Sequence, residues 1–525
     1  MYRGLLGDFF FIKHEKDGEE FKMLIDCGVL QRIGSAQKKP TTSLGRDRII
    51  AAVEDFISHT GKSIDLVVAT HEHYDHLSGF ILANEQFADL EIGKVWMAWT
   101  EDRTDKLANS YRAKKNKALA ALARLTDDPA FAATSEMETV SNLLQFYGEI
   151  DVVKRSEMDA VAPKDDQKLP GNASCAQVLD WLRRRARIEN VSFLKPGEEV
   201  RWGVQNAFHA YVLGPPRDDE KLRQLDPSKG AAREVYLARP EDAETVRGLS
   251  GRVGKEELQS DDLPFALPYR RHYDPTHRKD RRLQQARRWN DQVVMLYELS
   301  DAARRIDDVW SGSAEDLALK IDGDVNNTSL ALAFELPDGK VLLFPGDAQV
   351  GNWLSWGDQT YPAARTKADG GRTIDELLSR TILYKVGHHA SHNATLRDRG
   401  LELMTHPELC AMIPVVAKTA REQTTSKTPN GWAMPYGDLY KRLHERTNGR
   451  IVQGDGSVAE ETSKFEGSIF TPSYGEAYDS GDPLWVELSL HLSGTGAPVA
   501  GVVTAGDRKS SGRRRLGRRS GRARR

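Results

Sequence analysis

The chain has 525 residues, 39% of them hydrophobic, with 74 basic and 77 acidic side chains and a formal net charge of −3. That is enough for one large or two ordinary domains with a sizeable core, and it excludes a disordered or fibrous chain. No apolar run approaches the ~20 residues that a membrane-spanning helix needs.

The opening MYRGLLGDFFFIKH lacks the apolar core and small-residue cleavage site of a secretory signal. Two apolar runs, DFFFIKH and FKMLIDCG, flank an Asp-Gly turn at 17–18 and predict a β-hairpin. RDRIIAAVEDFISHTG follows with apolar residues at helical spacing and a closing glycine. The strand IDLVVAT then runs into a polar knot, His71, Glu72, His73, Tyr74, Asp75 and His76. Residues 104–125 and 135–155 read as amphipathic helices, and 215–290 is crowded with charge and turn residues. Beyond them SLALAFEL, PDG and KVLLFPGD predict a second hairpin, TIDELLSR a helix, and TILYKVG a strand ending in HHASH. Hairpin ending in Asp, helix, strand ending in histidines thus occurs twice. Such an order predicts a duplicated β-sandwich with helices outside and both polar ends at one edge.

The domain plan is accordingly 1–93 and 326–465 as two halves of one domain, with 94–325 continuing it through helical and charged insertions. Residues 466–507 form an extension. Residues 508–525 form a basic tail with ten positive charges and no negative one, which leaves the rest of the chain at −13. The tail is predicted to be disordered. Its arginines Arg513, Arg514, Arg515, Arg518 and Arg519 either contact nucleic acid by counterion release or are merely solvated. The cysteines Cys27, Cys175 and Cys410 lie far apart without a CxxC, so neither a disulfide framework nor a thiolate zinc site is expected. A reducing cytoplasm is the expected setting.

Extended backbone puts side chains i and i+2 on one side, so His71 and His73 can converge on one ion just past the strand. Asp75 and His76 follow where the chain turns and can serve a second ion. Imidazole and carboxylate suit zinc and neighbouring first-row metals.

THEHYDH resembles the signature of the metallo-β-lactamase-fold hydrolases. LLGDFFFIKH with MLIDCG, NNTSLALAFEL, VLLFPGDA and ILYKVGHHASH resemble that family's other motifs. Together they are most similar to the hydrolase domain of ComEC-type DNA-uptake proteins and its soluble bacterial relatives, over roughly residues 5–95 and 320–456. The resemblance implies an αββα four-layer β-sandwich of the metallo-β-lactamase type. It implies two divalent ions, zinc in the first instance and manganese as the alternative. His71 and His73 would hold the first ion, Asp75 and His76 the second, and Asp347 would bridge them. His388 or His389 would complete the second site, the other contacting an attacked or leaving oxygen, and Asp26 would orient a ligand histidine. A further ligand from mid-chain has only His209, His272 and His277 to draw on. His209 stands at the wrong end of the strand expected from AYVLGPP and reads rather as a half-buried histidine, and His272 and His277 read as solvated.

The function so implied is hydrolysis by a hydroxide shared between two ions. A hard aspartate at the bridge and the absence of cysteine ligands favour phosphodiesters, DNA among them. Arg270, Arg271, Arg278, Arg281 and Arg282 either guide such a polyanion or form a solvated face. The alternatives are a hydrolase of a small ester, thioester or lactam, and a non-catalytic module that binds nucleic acid or a partner. Neither a membrane partner nor an active-site Ser-His or Cys-His nucleophile is expected.

Overall fold

The computed structural model describes residues 1–30, 44–147 (apart from 128, 133 and 135), 168–225, 306–361, 372–423 (apart from 392 and 394), 430–491 (apart from 479 and 480) and 498–499. It is a mixed α/β structure built on two large mixed sheets. The first has eight strands, in the order Phe470–Tyr474, Val486–His491, Pro498–Val499, Phe9–Lys16, Glu19–Cys27, Ser63–Ala69, Glu91–Ala98 and Val191–Leu194. The second has seven: Ile451–Gln453, Cys410–Ile413, Thr381–Lys385, Val341–Phe344, Ala331–Glu335, Phe208–Gly214 and Glu199–Trp202. Within the 466–507 extension, the strands Phe470–Tyr474, Val486–His491 and Pro498–Val499 join the first sheet, with Val499 opposite His14.

The repeated order seen in the sequence is present in both sheets. Strands Phe9–Lys16 and Glu19–Cys27 pair antiparallel, and the next strand, Ser63–Ala69, lies parallel to the second of them after the helix Leu44–Thr60. In the other sheet Ala331–Glu335 and Val341–Phe344 form the hairpin, and Thr381–Lys385 lies parallel to its second strand after the helix Ile374–Ser379. The Asp-Gly turn takes left-handed backbone at both positions (φ 53° and 82°), the combination that a two-residue hairpin loop matched to strand twist requires. Both segments end at the carboxyl ends of parallel strands.

Alternation along the strands decides which layer each side chain enters. Phe10, Ile12, Met23, Ile25, Leu66 and Val68 share a buried cluster with Leu332, Phe334, Leu342, Phe344 and Ile382 of the other sheet. Their neighbours Phe9, Phe11, Leu24 and Val67 instead meet Ile49, Val53 and Phe56 of a helix, with Leu77 and Phe80 of another. Ala331, Ala333, Leu343 and Tyr384 turn to helices on the second sheet's far side, Leu119, Leu122, Leu317 and Ile321 among them. Period two therefore buries both faces of each sheet, which is why FFFI, LVVA and LALAF are continuously apolar rather than alternating. Phe10 meets Phe344 edge to face at 5.6 Å between the sheets, a contact that contributes about 1 kcal/mol beyond its area.

The helices expected at 104–125 and 135–155 are seen as Lys106–Thr126 and Glu136–Gln145, the first opened by the Asp105 carboxylate accepting from the N–H groups of Leu107 and Ala108. The end of the second expectation falls outside the described residues, as do residues 226–290 of the charged segment with His272, His277 and its arginines, and the whole tail from 508 with Arg513, Arg514, Arg515, Arg518 and Arg519. No helix among the described residues is long and apolar enough to cross a membrane.

Candidate metal centre

The strand Ser63–Ala69 delivers the polar knot to the sheet edge, and the helix Tyr74–Leu82 carries the chain away from it. Asp75 lies in that helix's first turn, where the aligned peptide dipoles favour a carboxylate. The loop is clamped from behind. A Cβ on Gly28 would lie 2.1 Å from the Asp75 carbonyl, so only glycine lets the two backbones touch. From the other sheet, the Leu330 N–H donates to the Thr70 carbonyl at 2.9 Å, tying the two sheet edges together where the site forms.

Four side chains from both edges converge. His389 Nε2 lies 2.5 Å from Asp75 Oδ2 and 3.7 Å from Asp347 Oδ2. His76 Nε2 lies 3.2 Å from Asp347 Oδ2 and 4.0 Å from Asp75 Oδ2. One ligand atom from each of Asp75, His76, Asp347 and His389 fits within 4.8 Å of all the others, and all four residues are buried. At metal–ligand bonds of roughly 2.0–2.2 Å, two ligands of a tetrahedral ion stand about 3.3 Å apart, close to the 3.2 and 3.7 Å separations. The 2.5 Å His389–Asp75 contact is instead a hydrogen bond that an ion would open. Asp75 Oδ1, His76 Nε2 and His389 Nδ1 have no hydrogen-bond partner among the described residues. Buried polar atoms are rarely left so, and of the three His76 Nε2 is the one that faces the cluster, 3.2 Å from Asp347 Oδ2, as a metal donor would.

Surrounding groups aim these donors. Asp26 accepts from the Thr70 N–H at 2.8 Å and from its hydroxyl at 2.6 Å, and its Oδ2 lies 2.8 Å from His76 Nδ1, so Nε2 is left to face the cluster. Asp26 does this from left-handed backbone (φ 52°). Asp347 Oδ1 accepts from the His388 N–H at 2.8 Å and from Lys385 Nζ at 3.1 Å, leaving Oδ2 for His76 and His389. Lys385 also pairs with Asp8 Oδ2 and donates to the Gly346 carbonyl at 3.0 Å. Residues 388–390 all lie in the left-handed region (φ 44°, 50° and 56°), a run of non-glycine strain that persists only where its surroundings impose it.

The charge balance favours a cation. Four buried carboxylates meet one lysine and two histidines among the described residues: Lys385 pairs with Asp8 and Asp347, His76 with Asp26, and His389 with Asp75. Burial pushes Asp8 up to about 6, against the pull of Lys385 and His76. Burial alone would raise Asp75 too, but His76 and His389 outweigh it and bring the carboxyl down to about 2. For Asp347, Lys385, His76 and His389 overcome the same burial and hold the carboxyl well below its usual range. Conversely Asp347, Asp8, Asp26 and Asp75 overcome the burial of His76 and raise it. Burial and the charges of Asp75 and Asp347 push Asp322 up to about 8.

His71 and His73 stand beside this group. His71 Nε2 and His73 Nδ1 face each other at 3.0 Å, while His71 Nδ1 lies 3.1 Å from the Thr70 hydroxyl. His73 Nε2 meets the Tyr147 hydroxyl at 3.4 Å and Asp322 Oδ1 at 3.6 Å. Burial lowers both histidines, His73 to about 4, so both rings are neutral at pH 7 and able to coordinate. Among the described residues no third ligand closes this pair into a group of three.

The HHASH doublet separates cleanly. His389 enters the cluster, whereas His388 turns away to the Ser391 hydroxyl at 2.6 Å and the Asn393 and Asn326 side chains at 3.2 Å each. As a ligand of the second site, His388 is thus displaced: its backbone N–H, rather than its ring, serves Asp347. His209 is not brought to the site. It pairs with Glu199 and sits opposite Glu335, whereas the site end of its strand is Gly214, opposite Ala331. The sequence reading missed Asp8, Lys385, Asp322 and Tyr147. A lone lysine inside the apolar strand TILYK is a signal of a buried charge partner, and an aspartate just before FFF is a weaker one. Asp322 and Tyr147 come from helical insertions and leave no local signal.

The donor set therefore can hold a metal ion. No family model, curated protein or solved structure matches the chain.

Proposed function

We propose that this chain is a metal-dependent hydrolase of the metallo-β-lactamase-fold kind, acting on phosphodiester bonds. The observation that carries the reading is the convergence of Asp75, His76, Asp347 and His389, with the His71–His73 pair alongside. The layering of the apolar clusters, helices outside two face-to-face sheets, supports the αββα sandwich expected from the motifs.

In this reading Asp75, His76, Asp347 and His389 would hold one divalent ion, and His71 with His73 would offer two nitrogens to a second. Zinc fits the nitrogen-rich set, and the carboxylate share keeps manganese as the alternative. Such ions, when bound, supply water that ionises near neutral pH and a Lewis-acid clamp on the oxygens of the scissile group. The protein's part is positioning. Asp26 fixes the ring of His76, Lys385 and the His388 N–H fix one oxygen of Asp347, and the strained 388–390 backbone presents His389. Holding these groups in place before substrate arrives removes reorganisation from the reaction itself.

The test combines metal content by plasma mass spectrometry with turnover of bis-p-nitrophenyl phosphate, single-stranded DNA and nitrocefin. The expected result is bound metal and cleavage of a phosphodiester, both lost together in an Asp75→Ala, Asp347→Ala double variant. Metal without phosphodiester cleavage but with nitrocefin turnover would replace the substrate class. A chain that binds no metal at all would sink the hydrolase.

A further inference from the structure

A cavity of about 640 Å³ adjoins the metal centre across Glu72, the residue between His71 and His73. One wall is a face of the helix Lys106–Thr126, on which Tyr111, Lys114, Lys115 and Ala118 follow at helical spacing, with Arg112 and Lys117 at its flanks. The facing wall is the helix Ile306–Asn326, which presents Leu317, Ile321 and Val325 together with Lys320 and Asp324. One side is thus cationic, and the other sets an aliphatic strip of three residues beside Lys320 and Asp324.

Much of the cavity's acidic lining is already answered. Glu72 pairs with Lys115, Glu101 with Arg183, and Asp219 with Arg223 and the Tyr111 hydroxyl. Arg112 donates only to the Asn109 side chain and the Thr100 carbonyl. Lys114 lies over the Tyr111 ring at 6.0 Å, and the exposed Lys117 makes no ion pair with the described residues. Asp324 and Lys320 included, the lining sets six cationic side chains against four acidic ones, beside an aromatic ring and an aliphatic strip.

We propose that this cavity binds a nucleotide-sized phosphorylated molecule, its phosphate on the Lys114 and Lys117 side and its flat or apolar body between Tyr111 and the Leu317–Ile321–Val325 wall. The volume falls in the range of small-molecule sites, roughly 300–1,000 Å³, and is too small for a duplex. Resting on the hydrolase reading, the same molecule is the substrate, anchored here by its non-reacting part while the metal centre takes the scissile group. Binding energy gained away from the reacting atoms is what holds them in register.

Adenosine monophosphate is the probe, titrated calorimetrically into the full-length protein stripped of metal with EDTA, and compared with a Lys114→Glu, Lys117→Glu double variant. Both lysines are exposed, so the fold tolerates the change. The expected result is saturable binding to the wild type, weakened at least about tenfold in the variant, with equal metal content in the two proteins after reloading. No binding to the metal-free wild type, or equal binding by both proteins, overturns the proposal. Charge-dependent binding by a metal-loaded protein that cleaves no phosphodiester leaves the cavity standing and removes the hydrolase reading. A Leu317→Trp variant that fills the aliphatic side, binding the probe as well as the wild type, would also count against the placement.

Discussion

His76 and His389 sit against Asp26, Asp75 and Asp347, whereas His71 and His73 face each other and the hydroxyls of Thr70 and Tyr147. Asp322, a carboxyl that burial raises to about 8, lies 3.6 Å from His73. All four rings are buried to within a few per cent. Carboxylates nonetheless raise the first two, while burial lowers the other two. The difference separates two ways of preparing a histidine for a cation. One surrounds it with negative charge that a metal relieves, so binding releases protons and cancels repulsion among carboxylates. The other keeps the ring neutral in advance but offers little charge to hold the ion. The four-residue cluster is therefore expected to bind first and tightly, and the histidine pair second and weakly.

Asp347→Asn is expected to give the largest effect, because Asp347 faces both His76 and His389 within the four-residue cluster. Asparagine keeps the hydrogen bond from the His388 N–H but removes the charge. Metal content should fall to below one ion per chain and phosphodiester turnover by more than about a hundredfold, the upper range seen for residues that only support ligands. Retention of full metal content would mean that the cluster does not depend on this carboxylate, and the ranking of the two sets would fail. A Lys385→Met change comes next and reads on stability. It leaves Asp8 and Asp347 buried without their cation, which should cost about 3–5 kcal/mol in the metal-free protein. Saturating zinc should restore a substantial part of that loss, measured by denaturant unfolding with and without the ion. If zinc restores nothing, the lysine and the ion do not act on the same carboxylates. Asp26→Asn follows, with metal affinity at the four-residue cluster weakened about 10–100-fold and the histidine pair unchanged, read by competition with a chromophoric chelator.

Much of this comparison was visible in the amino-acid order, and the limits are physical. The run LVVA followed by THEHYDH marks a doubly buried strand and its polar exit, because apolar length and ligand spacing are local properties. The second hairpin–helix–strand unit was legible for the same reason. What the spacing of two adjacent histidines does not encode is the backbone strain at 388–390, so His388 and His389 stayed equivalent until the left-handed turn separated them. That His209 opens the strand Phe208–Gly214 rather than closing it was legible too, and the pairing of Gly214 with Ala331 puts the other end at the site. Lys385 and Asp8 lie 377 positions apart and meet only because both sheets end at one edge. The wall carrying Tyr111 and Lys114 was readable as a helix, yet not as the side of a cavity, since its partner helix begins some 180 residues later.

The smallest effect concerns protons alone and sharpens the contrast between the two histidine sets. In the metal-free protein His73 titrates at about 4 rather than near 6.5, because the fold buries it. Between those values the unfolded chain binds a proton at this position that the folded chain does not, so stability falls as pH drops from 6.5 toward 4. The raised histidines act in the opposite sense. The stability that His76 and His389 contribute is complete below pH 6.5 and disappears as pH rises through their folded values. A His73→Gln variant keeps a polar side chain beside Tyr147 and removes only the first contribution. Its unfolding free energy, measured by urea at closely spaced pH values in EDTA, should show up to one proton less of slope between pH 4 and 6.5, with the slope above pH 7 unchanged. An unchanged slope at low pH would mean that His73 is already protonated in the folded chain, and that the pair is not held neutral for a metal.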